Sequence, residues 1–368
     1  MSSNVDVFYI HLFNDFSGSP RVFRDAIDSE ITKAESTYVF TSNHSGFLDG
    51  VRGKRITCFY ARSNNRYIQL FYFLLSQILL FIQLSYSLIG CRIKGRTSTV
   101  VVNTMLPFGA GFAAKLLSTK VVYYVHETYV KPELLKRFLR FFIEHCATHV
   151  IFVSKYLKDK ESFNKPISDV IYNGLRADFP IVDKVDSINK FENKELFFAG
   201  SLKAYKGIKE LFHLAEYLPT FKVNAAINCE EAELDEFMSN KVIPKNLSIY
   251  ARPSDIQWYF ERSFLVLNLS LPDDCVETFG LSLLEGMAFG SPVVSPSVGG
   301  PVEFVNNRNG YLIDARETKK IAEFVLYLNS SFDIWNEYSK NAFETSKKFT
   351  ASEYKISIQE YFKKYDLN

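Results

Sequence analysis

Residues 277–305, ETFGLSLLEGMAFGSPVVSPSVGGPVEFV, admit few folds. They read as a loop, a short apolar helix, an extended segment from Pro292 to Pro296, and a second helix start at Gly299-Gly300-Pro301. From Gly280 the apolar residues Leu281, Leu284 and Ala288 recur at helical spacing, and Leu283 and Met287 thicken the stripe, so one face is built to pack on a sheet. The first amides of a helix lack internal partners and carry the positive end of its dipole. The Phe279, Gly280 and Leu281 amides are therefore expected to seat a phosphate group. Glu285 lies on the same face about one turn further in. A carboxylate there repels phosphate but accepts hydrogen bonds from hydroxyls, which suits a ligand with phosphate at one end and a diol beside it.

The pattern resembles the E-x7-E signature of glycosyltransferase family 4. Two glutamates at this spacing also arise by chance, but here FGL follows the first, EGMAFGSPVV the second, and GGPVEFV lies beyond. The resemblance implies a nucleotide-sugar ligand. It makes Glu285 the residue that binds the ribose hydroxyls and places Glu277 beside the transferred sugar and the diphosphate.

At 368 residues, with 47% hydrophobic and 15% aromatic content, the chain suits two domains that each bury a core. The five cysteines are scattered, without C-x-x-C spacing, which predicts a reducing compartment and neither a disulfide framework nor a zinc site. The start, MSSNVDVFYI, lacks the charged opening and apolar run of a signal peptide, so a cytoplasmic location is expected. The net charge of +2 hides an asymmetry. Residues 1–185 carry 23 basic and 15 acidic side chains, whereas residues 186–368 carry 20 and 26. Between Asp49 and Glu127 there are ten basic residues and no acidic one. A polyanionic partner is expected. The run at residues 67–90, YIQLFYFLLSQILLFIQLSYSLIG, holds no charge and favours an anionic membrane surface over nucleic acid. Its length would let it cross a bilayer. Its glutamines and serines, and the strand-like segments on both sides, favour a helix partly buried in the first domain and partly facing lipid.

Read in order, the first half alternates strands and helices. Strands are expected at 6–12, 38–42, 56–60, 100–103 and 121–125, and the last clear strand of this half ends at Ser154. The loop NDFSGSP after the first strand carries Gly18, which permits close backbone approach. The family resemblance aims the matching loop at the donor diphosphate. His126 follows directly on a strand, at the carboxyl end where open parallel sheets bind ligands. A histidine there is often only a satisfied hydrogen-bond donor; the resemblance places it near the donor sugar and the acceptor. Residues 178–194 read as a polar linker. In the second half, ELFFAG is followed by SLKAYKG, where Lys206-Gly207 resembles the family's G-R-L-x-x-x-K-G element. Lys206 takes the diphosphate-clamping lysine's place, but Ser201 stands where the family has arginine. Arg252 lies where the family places its base-binding loop. The run from Glu230 to Glu236 is expected to be a solvated helix face, and Asp273-Asp274 a solvent-facing pair rather than a metal site.

The alternation implies an α/β chain of two doubly wound domains. The resemblance adds the GT-B architecture, two Rossmann-like domains facing a central cleft. The expected division is an acceptor-side domain at 1–180, a nucleotide-sugar domain at 181–350, and a last helix at 351–368 packing back on the first. The resemblance implies a retaining, metal-independent glycosyltransferase with no cofactor. Its expected substrates are a nucleotide sugar and a glycan or lipid-linked glycan acceptor used in cell-surface polysaccharide synthesis, at the inner face of the plasma membrane. A nucleotide-sugar epimerase of the same fold and a non-catalytic, membrane-associated nucleotide-binding protein are the alternatives.

Overall fold

The computed structural model describes residues 5–30, 36–180, 182 and 185–368. They form two compact units, one comprising the chain up to Asn173 together with Ser352–Asn368, the other Gly174–Ala351.

The first unit contains β1 (Val5–Ile10), α1 (Gly18–Glu30), β2 (Thr37–Thr41), β3 (Lys54–Thr57), α2 (Arg66–Ile93), β4 (Thr97–Asn103), α3 (Phe108–Leu116), β5 (Lys120–Val125), α4 (Glu133–Cys146), β6 (His149–Phe152), α5 (Lys155–Lys160) and β7 (Ile167–Val170). Its seven strands are all parallel in the order β3-β2-β1-β4-β5-β6-β7. Runs such as VVVN and VVYYV are buried on both faces, as parallel strands covered by helices must be. The strand order reverses between β1 and β4, so the loops after these two strands diverge and leave a crevice at their carboxyl ends.

The second unit contains α6 (Ser187–Asn193), β8 (Glu195–Gly200), α7 (Ile208–Tyr217), β9 (Lys222–Ile227), α8 (Glu231–Met238), β10 (Leu247–Ala251), α9 (Ile256–Arg262), β11 (Ser263–Leu267), α10 (Leu281–Ala288), β12 (Val293–Ser295), β13 (Gly310–Leu312), α11 (Thr318–Asn329) and α12 (Phe332–Ser346). Its parallel sheet runs β10-β9-β8-β11-β12-β13, reversing between β8 and β11. Buried Trp335 closes the core, and its indole N–H donates to the Phe264 carbonyl at 2.8 Å, so the ring is buried without stranding its donor. The final helix, α13 (Ala351–Lys364), lies with the first unit. There Tyr354 shares a 2.9 Å hydrogen bond with Tyr124 of β5.

Two strands were not anticipated, and two expectations need correction. β7 follows the strand ending near Ser154; its ISDV sequence is partly exposed at the sheet edge and lacks the apolar run that marks buried strands. β13 is three residues long, too short for a periodic signal. The segment 178–194 is not all linker. Positions 181, 183 and 184 lie outside the described residues, but α6 forms within the remainder and Lys190 is buried. Lys190 Nζ donates to the Phe260 and Glu261 carbonyls at 2.7 and 3.2 Å, satisfying the end of α9. The helix start expected at Gly299 is a single 3-10 turn, Gly300–Glu303.

Candidate functional site

Both strand-order reversals collect polar side chains at the carboxyl ends of the strands. In the second unit the loop after β8 carries Lys206, and the loop after β11 carries Asn268, Ser270 and Glu277. Lys206 Nζ lies 2.9 Å from Glu277 Oε2 and 3.5 Å from Ser270 Oγ. Asn268 Nδ2 donates to the same Glu277 oxygen at 3.1 Å. The ion pair is not sealed, since the Lys206 and Glu277 side chains stay 28% and 18% exposed. Burial pushes the Glu277 carboxyl up, but the Lys206 charge and hydrogen bonds from Lys206, Asn268 and the Phe279 amide together hold it below the ordinary carboxylate range. Burial likewise lowers Lys206, and Glu277 more than offsets it, so the ammonium titrates above its ordinary value. Both groups are charged at neutral pH.

Backbone packing sets this geometry. The Leu271 amide donates to the Tyr205 carbonyl at 2.8 Å, tying the two loops together. Gly207 has φ +80°, and a Cβ there would lie 2.2 Å from the Leu269 carbonyl oxygen, so only glycine lets the chain turn at this point and carry Lys206 over Ser270. Gly299 has φ +113°, and its Cβ would meet the Glu277 carbonyl oxygen at 2.3 Å. The Gly300 amide donates to that oxygen at 2.9 Å, so the Gly-Gly pair serves as the floor under Glu277.

At the start of α10, Gly280 is the cap residue and supplies no side-chain hydrogen bond. Among the described residues the Leu281 and Ser282 amides have no backbone acceptor, which leaves them as open donors. The Phe279 amide differs from expectation: it hydrogen-bonds the Glu277 carboxylate, while its ring packs on Phe304 and Phe349. Glu285, one turn into α10, faces Arg176, with Nε 3.7 Å from Oε1 and exposures of 20% and 17%. Sequence reasoning gave Arg176 no role, because nothing in IYNGLR marks it as a neighbour of α10. Ser201 directly follows β8 and is half-buried, and Lys203 is exposed and forms no ion pair among the described residues. Arg252 directly follows β10 with φ +35° and is tied down by Asn228 Oδ1 at 3.0 Å and Glu230 Oε1 at 2.8 Å. Glu230 and Glu233 also form a capping box on α8, so part of the acidic run is structural rather than merely solvated. Asp273 pairs with Arg316 at 2.8 Å.

In the first unit the reversal brings His11, after β1, beside Asn103, which ends β4. Asn103 Nδ2 donates to the Ser19 carbonyl at 3.2 Å, which fixes the amide orientation because a carbonyl can only accept. Nδ2 also lies 2.9 Å from His11 Nδ1, and Oδ1 lies 2.7 Å from His126 Nε2. His126 therefore carries its proton on Nε2 and keeps Nδ1 as an acceptor. Burial, then the neighbouring His11, lower the His126 pKa to about 3, so the ring is neutral. Burial lowers His11 to about 4. The His126 amide is held by Glu127 Oε2 at 3.2 Å, and Glu127 Oε1 accepts from the Met105 amide at 2.7 Å. Asn103 was not singled out from the sequence; its place at the end of a buried strand beside the reversal is the signal that would have found it. Gly18 begins α1 in the open, and a Cβ there would meet nothing within 4 Å, so no approach within the protein requires glycine at this position. No group of three or more metal-ligating side chains occurs among the described residues.

Residues 183–345 match the family described as glycosyl transferases, group 1. An uncharacterized glycosyltransferase of Methanocaldococcus jannaschii is 29% identical over 223 residues, 57% of this chain and 59% of that protein. The chain thus spans less than two thirds of that relative. Among solved structures, Anabaena HepE in complex with UDP-glucose superposes with a TM-score of 0.78 at 17% identity, over 98% of this chain and 99% of that one. The lipopolysaccharide outer core galactosyltransferase WaaB superposes with a TM-score of 0.67 at 18% identity, over 98% and 99%. These are GT-B structures, and the two doubly wound units here share that fold.

Proposed function

We propose that this chain, whose residues 183–345 match the glycosyl transferases, group 1, transfers a sugar from a nucleotide sugar to a hydroxyl, with retention of anomeric configuration. The observation that carries the proposal is the Lys206–Glu277 pair at the β8/β11 reversal, beside the open amides of α10. Breaking the anomeric bond develops positive charge on the sugar and negative charge on the departing diphosphate. Lys206 and the Leu281 and Ser282 amides supply fixed positive potential for the diphosphate, as oxyanion-hole donors do. Glu277, kept ionised, orients sugar hydroxyls and faces the developing positive charge. Glu285 accepts hydrogen bonds from the ribose diol while Arg176 balances its charge. Arg252 lies by the base. In the first unit, His126 Nδ1 accepts a hydrogen bond from a substrate hydroxyl.

The chemistry needs no metal, because the protein's own groups meet the charge of the leaving diphosphate; EDTA is expected to leave the rate unchanged. HepE was solved with UDP-glucose, which makes UDP-sugars the first donors to assay. The acceptor is a lipid-linked glycan of cell-surface polysaccharide synthesis, met at the cytoplasmic face of the plasma membrane; the basic, apolar surface of the first unit supports this. A thermal-shift panel of nucleotide sugars tests the donor site. At least one should stabilise the protein, and Lys206→Ala should abolish that shift. Unchanged transfer by Lys206→Ala, or an altered sugar nucleotide formed without any acceptor, would overturn the proposal.

A further inference from the structure

Helix α2 leaves an apolar face in the open. A surface helix normally turns apolar residues inward and polar ones to water. In α2 the buried face carries Phe73, Leu80, Leu84 and Leu88 together with Ser76 and Gln77, and Gln77 Oε1 accepts from the Gly109 amide of α3 at 3.1 Å. The outward face presents Phe71, Leu74, Ile78, Ile82, Tyr86 and Ile89. At 28 residues the helix is about 42 Å long, and no charge interrupts it between Arg66 and Arg92. The surface continues sideways. Helices α3 and α4 pack in turn beside α2, joined by Phe81–Phe112 and Phe112–Phe142 ring contacts at 5.6 and 5.8 Å, and α4 exposes Leu134, Phe138 and Phe141. Half of the exposed large hydrophobic side chains among the described residues lie on these three helices.

We propose that this three-helix face docks on an anionic lipid bilayer, with α2 lying in the plane of the interface. The location deepens the lipid-borne acceptor proposed above and rests on that reading for its purpose, but the docking itself is independent of catalysis. Three observations select lipid as the occupant. The basic residues Arg66, Arg92, Lys94 and Lys115 lie at the ends and margin of the apolar face and form no ion pair among the described residues, as expected of side chains that meet headgroup phosphates. A second copy packed through α2 and α3 would bring the same positive charge against itself, since residues 50–126 contain no acid. A transmembrane course is incompatible with the sheet, because β3 before α2 and β4 after it belong to one parallel sheet, which requires the connecting helix to lie along that sheet.

The placement also aims the site. α2 runs antiparallel to the strands, and Gln77 is level with the first turn of α3. Residues 66–76 therefore reach about 16 Å beyond it on the side of the strand carboxyl ends, where His126 lies. With α2 in the interface plane, that edge opens along the membrane surface, within lateral reach of a hydroxyl carried on a lipid.

Flotation of the full chain with phosphatidylcholine vesicles, with and without phosphatidylglycerol, tests the proposal. Binding should require the anionic lipid and weaken with salt. Substituting Ile78→Glu and Ile82→Glu, at positions 58% and 56% exposed, should cut binding at least about tenfold. Neutralising Arg66, Arg92 and Lys94 to Gln should cost about fivefold for each charge. A control Leu326→Glu change on α11 should bind as wild type. Vesicle binding unaffected by the α2 changes, no binding at any composition, resistance of bound protein to alkaline carbonate extraction, or a dimer that the α2 changes dissociate would each overturn it. Donor-induced thermal shifts should be equal in wild type and α2 variants, so failure of docking and failure of the donor site are read separately.

Discussion

Lys206 and Glu277 stabilise each other only while both are charged, and the shifts of their pKa values define the window. Glu277 titrates below its ordinary value, so its contribution is present above the unfolded carboxylate range and is lost as pH falls through its folded pKa. Lys206 titrates above its ordinary value, so its contribution is present below the unfolded lysine range and is lost as pH rises through its folded pKa. Lys206→Met removes the main charge that depresses Glu277, so it should lower stability near neutral pH and flatten the loss on acidification, measured by urea unfolding between about pH 3 and 7. His11 and His126 act in the same direction on acidification. Both are held neutral, so the unfolded chain gains protons first and stability should fall from the ordinary histidine value of about 6.5 toward 4, less steeply in His126→Asn. The Asn103 amide predicts an Nε2–H tautomer for His126, readable by long-range nitrogen–proton NMR, and Asn103→Leu should abolish that preference. Gly299→Ala should destabilise by more than about 1 kcal/mol, since positive φ and contact with the Glu277 carbonyl both oppose a Cβ. Glu277, Glu285 and Lys206 were legible because they sit within local motifs. Asn103, Arg176 and Asn268 were not, because their partners come from distant segments.

Elements with a strong internal period were legible, and those held by contacts were not. VVVN and VVYYV announce buried strands, whereas β7 and β13 exist because a neighbouring strand supplies their ladder partners. The α6 helix is a sharper case. Seven residues rarely hold a helix alone. Here the Asp186 cap and the Lys190 ammonium, which reaches the carbonyl end of α9, hold it in place. Lys190→Met keeps most of the side-chain volume but leaves two carbonyls without their donor, and should cost about 1–3 kcal/mol in urea unfolding. The α2 helix was read as partly buried and partly facing outward. Only the structure identified which residues occupy each face, because an all-apolar run has little period to read.

The whole molecule divides its cores unevenly along the chain. Tyr354, Ile358, Tyr361 and Phe362 of α13 are buried within the first unit, although the second unit separates them from the rest of it in sequence. Truncation after Ala351 should therefore unfold or loosen the first unit while Gly174–Ala351 keeps its protection, a difference that hydrogen exchange resolves segment by segment. By itself the sequence determined the α/β class, the doubly wound pattern and the glutamate signature, since each is written in residues close along the chain. It also determined the charge asymmetry between the halves, which composition alone records. The tertiary structure decided the strand orders. With them came the two reversals, which bring Lys206 to Glu277 across 71 positions and His11 to Asn103 across 92. It also decided which side of α2 is left without protein cover. Strand order and helix exposure depend on which elements pack together, and that free energy is shared among residues far apart in the chain.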